Sequence, residues 1–180
     1  MLARFYGITE GVRAVSDGES LDLGGKTLRF FHIPFVHWPE TMATYEETQK
    51  VLFSCDAFGG FRALDGVLFD DEVDVAEYED EALRYFSNIV GMQSKAVLRA
   101  IEKLAGLAIE VIAPSHGPVW RRNPRHIVEL YFHWERVEAL GWELVGEVSF
   151  HGTPTPEDLA RARELGRKVA ERVGAAAPEA

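Results

Sequence analysis

The chain has 180 residues, 47% of them hydrophobic, and a formal net charge of −10. This length is sufficient for one hydrophobic core and a small appendage. The acidic balance argues against nucleic acid as a partner, because affinity for a polyanion comes largely from phosphate neutralisation by Lys and Arg. A lone cysteine, Cys55, excludes an internal disulfide, and no apolar run approaches the ~20 residues that span a bilayer. We therefore expect a cytoplasmic protein that does not enter a membrane, with no secretory leader.

The first third of the chain has the residue pattern of β-strands. Residues 11–35 predict strands joined by a hairpin turn at Gly24-Gly25. A short strand is predicted at Thr44-Tyr45. The apolar run at residues 51–53 is typical of a buried strand.

Beyond residue 61 the pattern changes to that of helices. Residues 62–74 lack periodicity and are predicted to form a loop or lid. Residues 77–90 and 94–104 place apolar side chains at helical spacing and predict two amphipathic helices. A strand is predicted at residues 109–113, followed by a helix from Pro124 to about residue 139.

Three polar residues follow three of the predicted strands directly: His37, Asp56 and His116. Neutral imidazole nitrogens and carboxylate oxygens suit first-row divalent metals, so these residues predict an iron or zinc site. Other roles are open for each residue taken alone. His37 could stack on Trp38, Asp56 could stabilise a turn, and His116 could hydrogen-bond a backbone carbonyl.

Three motifs, in chain order, contain these residues. They are Phe-x-His-Trp-Pro-Glu-x-Met at 35–42, Leu-Phe-Ser-x-Asp-Ala-Phe-Gly at 52–59 and Pro-Ser-His-Gly-Pro-x-Trp-Arg at 114–121. Together they resemble the second half of the metallo-β-lactamase-like domain of flavodiiron proteins, over roughly residues 4–134. The resemblance implies an α/β fold, part of an αββα sandwich. It also implies that His37 and His116 each bind one iron and that Asp56 bridges the two.

The resemblance further implies an oxidoreductase that reduces dioxygen or nitric oxide at a non-haem di-iron centre. The family's other iron ligands come from an upstream motif, His-x-Glu-x-Asp-His, which this sequence does not contain. We therefore expect the chain to be incomplete by itself. Its expected partner is a second copy or a chain that supplies the missing N-terminal half, together with an external electron donor. An exposed sheet edge and an apolar face should drive that association.

The C-terminal part resembles a fragment of a second domain. Residues 141–145 and 151–173 are similar to the last strand and helix of the flavodoxin-like domain that follows in flavodiiron proteins. This gives a predicted boundary between residues 1–134 and residues 135–180. The hydroxyl-rich loop that would hold the flavin phosphate at a helix N-terminus has no counterpart, so FMN is not expected on this chain.

Other residues near the motifs could line the site: Trp38, Glu40, Tyr45 and Trp120. Cys55 should point away from Asp56 if strand alternation continues, which makes it a small core residue. Two other functions stay open. One is a non-catalytic scaffold that retains the fold. The other is a mononuclear iron or zinc site built from the same three ligands, resembling the two-histidine, one-carboxylate triad of iron(II) oxygenases or acting as a hydrolase.

Overall fold

The computed structural model describes residues 2–139 and 155–176. The chain divides into two compact units, Met1–Leu140 and Gly141–Ala180. The predicted α/β class is observed in the first unit, in which a five-stranded sheet is accompanied by helices. In the described part of the chain, no helix is long and apolar enough to cross a membrane.

The sheet begins as an antiparallel meander and ends with one parallel pair. Its strands, in spatial as well as chain order, are β1 (Ser20–Asp22), β2 (Thr27–His32), β3 (Met42–Glu46), β4 (Val51–Cys55) and β5 (Val111–Pro114). The antiparallel strands need only short turns, and the predicted hairpin joins β1 to β2. The parallel pairing of β4 with β5 instead requires a long crossover, which contains the helical segment of residues 75–104.

The helices are α1 (Leu2–Tyr6), α2 (Val75–Tyr85), α3 (Ser94–Leu104), α4 (Pro124–Ala139) and α5 (Pro156–Ala176). Asp74 caps α2, since its carboxylate accepts hydrogen bonds from the backbone N–H groups of Ala76 and Glu77. The helix predicted at residues 77–90 is α-helical only to Tyr85. It continues as a π-helical turn, Phe86–Val90, and a 3-10 turn, Gly91–Gln93.

The hydrophobic core lies between the helices and one face of the sheet. Within β4, Leu52 is 0% exposed whereas its neighbour Phe53 is 48% exposed. Successive side chains of a strand point to opposite faces, so the face that carries Phe53 is only partly covered. The core contains Phe31, Ala43, Leu52 and Ile112 from the sheet with Tyr78, Ala82, Phe86, Val97, Leu104, Ile127 and Tyr131 from the helices.

The outer edge of β5 is covered by the chain that follows it. Ile112 and Trp120 exchange both backbone hydrogen bonds, at 2.9 and 2.8 Å. At the other side of the sheet, β1 is only three residues long. The prediction of an exposed edge therefore fails at β5. The cause is the reversal at residues 115–118, which brings Val119 and Trp120 back alongside the strand.

The predicted loop at residues 62–74 is anchored by a buried carboxylate. Asp70 is 3% exposed, and it accepts hydrogen bonds of 2.9–3.2 Å from the backbone N–H groups of Arg121, Arg122 and Asn123. Its own N–H donates to the Val119 carbonyl at 3.0 Å. These bonds join the loop before α2 to the segment before α4.

In the second unit, Thr155 and Asp158 form a reciprocal cap at the start of α5. Thr155 Oγ1 accepts a hydrogen bond from the Asp158 N–H at 3.2 Å, and the Asp158 carboxylate accepts one from the Thr155 N–H at 2.9 Å. The flavodoxin-like strand predicted at residues 141–145 lies outside the described residues. In the first unit α4 continues to Ala139, which is beyond the boundary predicted at residue 134.

Candidate metal centre

The three strand-end residues predicted as metal ligands lie together. Asp56 follows the last residue of β4, and His116 lies in the turn after β5, at the same end of the parallel pair. His37 lies in the turn between β2 and β3. The Nε2 atom of His37 is 3.5 Å from Asp56 Oδ2, and the Nε2 atom of His116 is 3.5 Å from Asp56 Oδ1. Each imidazole thus faces a different oxygen of one carboxylate.

These distances suit metal coordination. Nitrogen and oxygen ligands bind zinc at about 2.0–2.2 Å, so two ligands of one cation necessarily lie within about 4.4 Å of each other. Among the described residues, no three His, Cys, Asp or Glu side chains surround a single cation position. The geometry therefore consists of two imidazole–carboxylate pairs that share Asp56.

Exposure decreases from the rim of this site to its base. The side chain of His116 is 58% exposed and that of His37 is 29% exposed, whereas that of Asp56 is 14% exposed. The carboxylate thus lies at the base and the imidazoles at the rim. Cations held here would keep coordination positions open toward solvent or toward another polypeptide.

The turn that carries His37 is stabilised by Thr41. Its hydroxyl oxygen accepts a hydrogen bond from the Trp38 N–H at 3.0 Å and donates one to the Trp38 carbonyl at 2.8 Å. The Phe35 N–H donates to the same carbonyl at 2.7 Å. The backbone beside His37 is therefore fixed by groups within the motif itself.

Backbone hydrogen bonds fix the turns that carry Asp56 and His116. The N–H of Ser115 donates to the Cys55 carbonyl at 2.7 Å, and the N–H of Gly60 donates to the His116 carbonyl at 3.3 Å. Gly117 adopts a φ of +84°, a conformation that a residue with a Cβ rarely adopts. Glycine is needed at this position to reverse the chain directly after His116.

We predict that Gly117→Ala destabilises the fold by roughly 1–3 kcal/mol, since it combines backbone strain with a steric clash. An added Cβ would lie 2.2 Å from the hydroxyl oxygen of Tyr78. Urea denaturation measures the loss. Gly106→Ala is the matched control, because nothing lies within 4 Å of a Cβ at Gly106 and its φ is not positive. Equal stability of the two variants would contradict the prediction.

Tyr85, the last residue of α2, contacts the site and was not predicted from the sequence. Its hydroxyl donates to the backbone carbonyl of Asp56 at 3.2 Å, and its ring centroid lies 5.8 Å from that of His116. Burial, and then the negative charge of Asp56, raise the pKa of Tyr85, so the phenol stays protonated at neutral pH. The helical spacing around Tyr85 indicates only a core position, and only the tertiary structure brings it to Asp56 and His116.

Cys55 departs from the predicted alternation. Its φ is +56°, and the pairing of β4 with β5 shifts register between Phe53 and Cys55. The side chain is half-buried rather than part of the core. Burial, followed by the charge of Asp56, raises the pKa of the thiol, so it stays protonated.

The predicted lining residues fall into two groups. Trp38 is exposed, with its ring centroid 5.6 Å from that of His37, and Glu40 is exposed in the same turn. Tyr45 and Trp120 instead lie in the core, so their prediction as lining residues is wrong. The hydroxyl of Tyr45 donates to the Ala108 carbonyl at 2.7 Å, and Trp120 pairs with β5 so that its ring packs inward.

Comparison with known proteins identifies the family of this chain. The family model described as ODP family beta lactamase matches residues 1–117. The chain is 47% identical over 123 residues to an anaerobic nitric oxide reductase flavorubredoxin of Enterobacter sp. (strain 638), which is 67% of this chain and 25% of the relative. It is 46% identical over 125 residues to the flavorubredoxin of Vibrio vulnificus, 68% of this chain and 25% of the relative. The chain thus spans about a quarter of the length of these relatives.

Solved structures give the same result. A mutant of the flavo di-iron protein from Thermotoga maritima is 36% identical, with a TM-score of 0.69 over 74% of this chain and 33% of that one. The rubredoxin oxygen:oxidoreductase of Desulfovibrio gigas is 33% identical, with a TM-score of 0.70 over 75% of this chain and 34% of that one. The chain therefore belongs to the ODP beta-lactamase family, in the branch that contains the flavodiiron proteins.

Proposed function

We propose that this chain supplies the His37, Asp56 and His116 half of a flavodiiron-type non-haem di-iron centre, and that the assembled centre reduces dioxygen or nitric oxide. The observation that carries the proposal is the position of Asp56, whose two oxygens each face a different imidazole at 3.5 Å. A carboxylate with this placement suits a bridge between two cations. The names of the relatives, a nitric oxide reductase and an oxygen oxidoreductase, support the reaction class.

When bound, a pair of irons would supply electrons to a bound diatomic molecule and polarise it. The chain's own residues prepare the place for this chemistry. Asp56 would supply carboxylate oxygens at the base of the site, while the imidazoles of His37 and His116 would supply nitrogen donors. Tyr85 keeps its proton and fixes the backbone of Asp56 through the 3.2 Å hydrogen bond. No catalytic residue beyond the metal ligands is proposed.

We further propose that the remaining ligands come from a polypeptide segment that carries the motif His-x-Glu-x-Asp-His. Two features of the chain support this. Its described residues hold each cation position from two sides only. The side chain of Phe53 on the sheet is also 48% exposed, and a partner segment would cover it. FMN would then be held by another subunit, electrons would enter from an external donor, and the assembly would work in the cytoplasm.

The test is to express the full chain alone and together with a segment that carries the missing motif. Alone, the chain should bind iron weakly and form dimers or larger aggregates at micromolar concentration, because its sheet face is exposed. Together, the two polypeptides should form one discrete complex with about two irons, each bound through a full set of ligands. Light scattering measures the assembly and elemental analysis measures the iron.

The matched control is a segment in which both motif histidines are replaced by asparagine. It should still form a complex with the chain, but that complex should not bind two irons. A sharp monomer peak for the chain alone, with no iron gained from the segment, would contradict the proposal. It would favour the second candidate, a non-catalytic scaffold, for which the incomplete ligand set among the described residues is the supporting observation. Zinc at a mononuclear site would instead appear as one equivalent of metal without any partner.

A further inference from the structure

Tyr78 is a core residue of α2 with an unusual hydroxyl group. The residue is 1% exposed, yet within the described part of the chain its hydroxyl oxygen has no hydrogen-bond partner. The two other tyrosines buried near the site are different. Tyr85 donates to the Asp56 carbonyl at 3.2 Å, and Tyr131 donates to the Gly59 carbonyl at 2.9 Å.

The hydroxyl of Tyr78 lies between two glycines at the turn of His116. A Cβ atom added at either Gly60 or Gly117 would lie 2.2 Å from it. Gly117 directly follows His116, and the N–H of Gly60 donates to the His116 carbonyl at 3.3 Å. That bond is longer than the 2.9–3.0 Å that is most common for N–H···O. The phenol oxygen therefore packs against both the turn after Asp56 and the turn at His116, next to the long hydrogen bond that joins these turns.

The chemistry at this position indicates more than packing. A buried hydroxyl without a partner costs stability, and phenylalanine would fill the same space without that cost. Burial also raises the pKa of Tyr78 well above its ordinary value, so the group remains a hydrogen-bond donor at every physiological pH. Gly60 and Gly117 belong to the two turns beside it, and the hydroxyl packs against both of them. This double contact, rather than a hydrogen bond, is what a phenylalanine would lose.

We propose that Tyr78 is a positioning residue, whose hydroxyl holds the turn at Gly60 against the turn at His116 and so fixes the His116 imidazole opposite Asp56. The inference rests on the proposed metal-binding function, because it concerns the same imidazole. It assigns a role to a side chain that touches neither the cation positions nor solvent.

The experiment uses the full chain with Tyr78→Phe, which retains the ring and removes only the hydroxyl. Cobalt(II) is the probe, followed by its visible absorption. Groups hydrogen-bonded to a metal-binding histidine typically contribute 10–100-fold to affinity, and a packing contact should act at the lower end of that range, so the cobalt Kd should rise by up to about tenfold. In the metal-free protein, the nuclear Overhauser contact between the rings of His116 and Tyr85 should weaken. The melting temperature should stay the same or rise, because an unpaired buried hydroxyl is removed.

Tyr45→Phe is the matched control. Tyr45 is also a buried tyrosine, but its hydroxyl bonds to the Ala108 carbonyl away from the site. This variant should lose stability while its cobalt Kd and ring contact stay at the wild-type values. If Tyr78→Phe also keeps the wild-type Kd and ring contact, the phenol is a packing residue and the inference is overturned.

Failure of the proposed function gives a different result. If the wild-type chain and Asp56→Asn bind cobalt equally, or neither binds it even together with the complementing segment, the metal site is refuted. The ring contact in the metal-free protein then still decides the role of Tyr78. A weakened contact in Tyr78→Phe alone would support positioning of His116 without a metal, and an unchanged contact would overturn it.

Discussion

Asp56→Asn should remove both bound metal ions from the complemented assembly, whereas His37→Asn and His116→Asn should each remove one. The reason is the geometry of the carboxylate, in which Oδ2 faces His37 and Oδ1 faces His116 at 3.5 Å. Asparagine keeps the shape but loses the charge and one oxygen acceptor. We expect affinity to fall by at least about 100-fold at both positions, which corresponds to roughly 3 kcal/mol per ion. Cobalt titration with elemental analysis measures Kd and stoichiometry together.

His133→Asn is the control for this series, since His133 is an exposed histidine on α4. The complemented assembly with His133→Asn should bind two equivalents of cobalt with wild-type affinity. A single equivalent in Asp56→Asn would indicate that the carboxylate serves one ion only and would contradict the bridging arrangement. Equal losses in all three site variants would indicate a mononuclear site.

Asp70→Asn should destabilise the fold by about 3 kcal/mol, although Asp70 lies outside the metal site. Its buried carboxylate accepts hydrogen bonds from three consecutive backbone N–H groups, those of Arg121, Arg122 and Asn123. A hydrogen bond to a charged group contributes about 1.5–3 kcal/mol. The amide of asparagine can direct its oxygen to some of these donors only by turning its NH₂ group toward the others. Urea denaturation, with the m-value checked for two-state behaviour, measures the loss.

Asp71→Asn is the matched neighbour. The carboxylate of Asp71 is partly exposed and pairs with the Arg121 guanidinium at 2.9 Å, and an exposed pair of this type contributes about 0–1 kcal/mol. A loss in Asp70→Asn no larger than that in Asp71→Asn would show that the backbone N–H groups find water or other acceptors in the variant. The two variants thus distinguish the stability contributed by the backbone hydrogen bonds to Asp70 from that contributed by the Asp71–Arg121 ion pair.

The strand-end residues could be identified from the sequence because short motifs with unusual residue types follow predictable strands. His37, Asp56 and His116 each stand next to an apolar run with a clear end. Since β4 and β5 are parallel, their carboxyl ends meet at one edge of the sheet. Local pattern and the resemblance to flavodiiron proteins therefore agreed on these residues. The comparisons confirm the family that the motifs indicated.

The residues behind the site could not be identified in this way. Tyr78 and Tyr85 have the spacing of core positions on an amphipathic helix, and that spacing does not say which buried residue lies beneath a functional loop. The π-helical turn after Tyr85 has no signal in the helical periodicity either, because Phe86, Ile89 and Val90 keep the spacing of an ordinary α-helix. Trp120 was misplaced for the related reason that its inward direction depends on a backbone pairing with Ile112. Each of these features is set by tertiary contacts.

The parallel pairing of β4 with β5 has a kinetic consequence. The meander from β1 to β4 consists of contacts between neighbours in the chain, so it needs little loop-closure entropy and should form early. The pairing of Val51 with Val111 closes a loop of about 60 residues that contains α2 and α3, so it should form late. His37 and Asp56 belong to the early part, and His116 arrives only with β5. A chain still in the course of folding would thus present one imidazole to Asp56, and the shared carboxylate would gain its second imidazole only on completion of the fold.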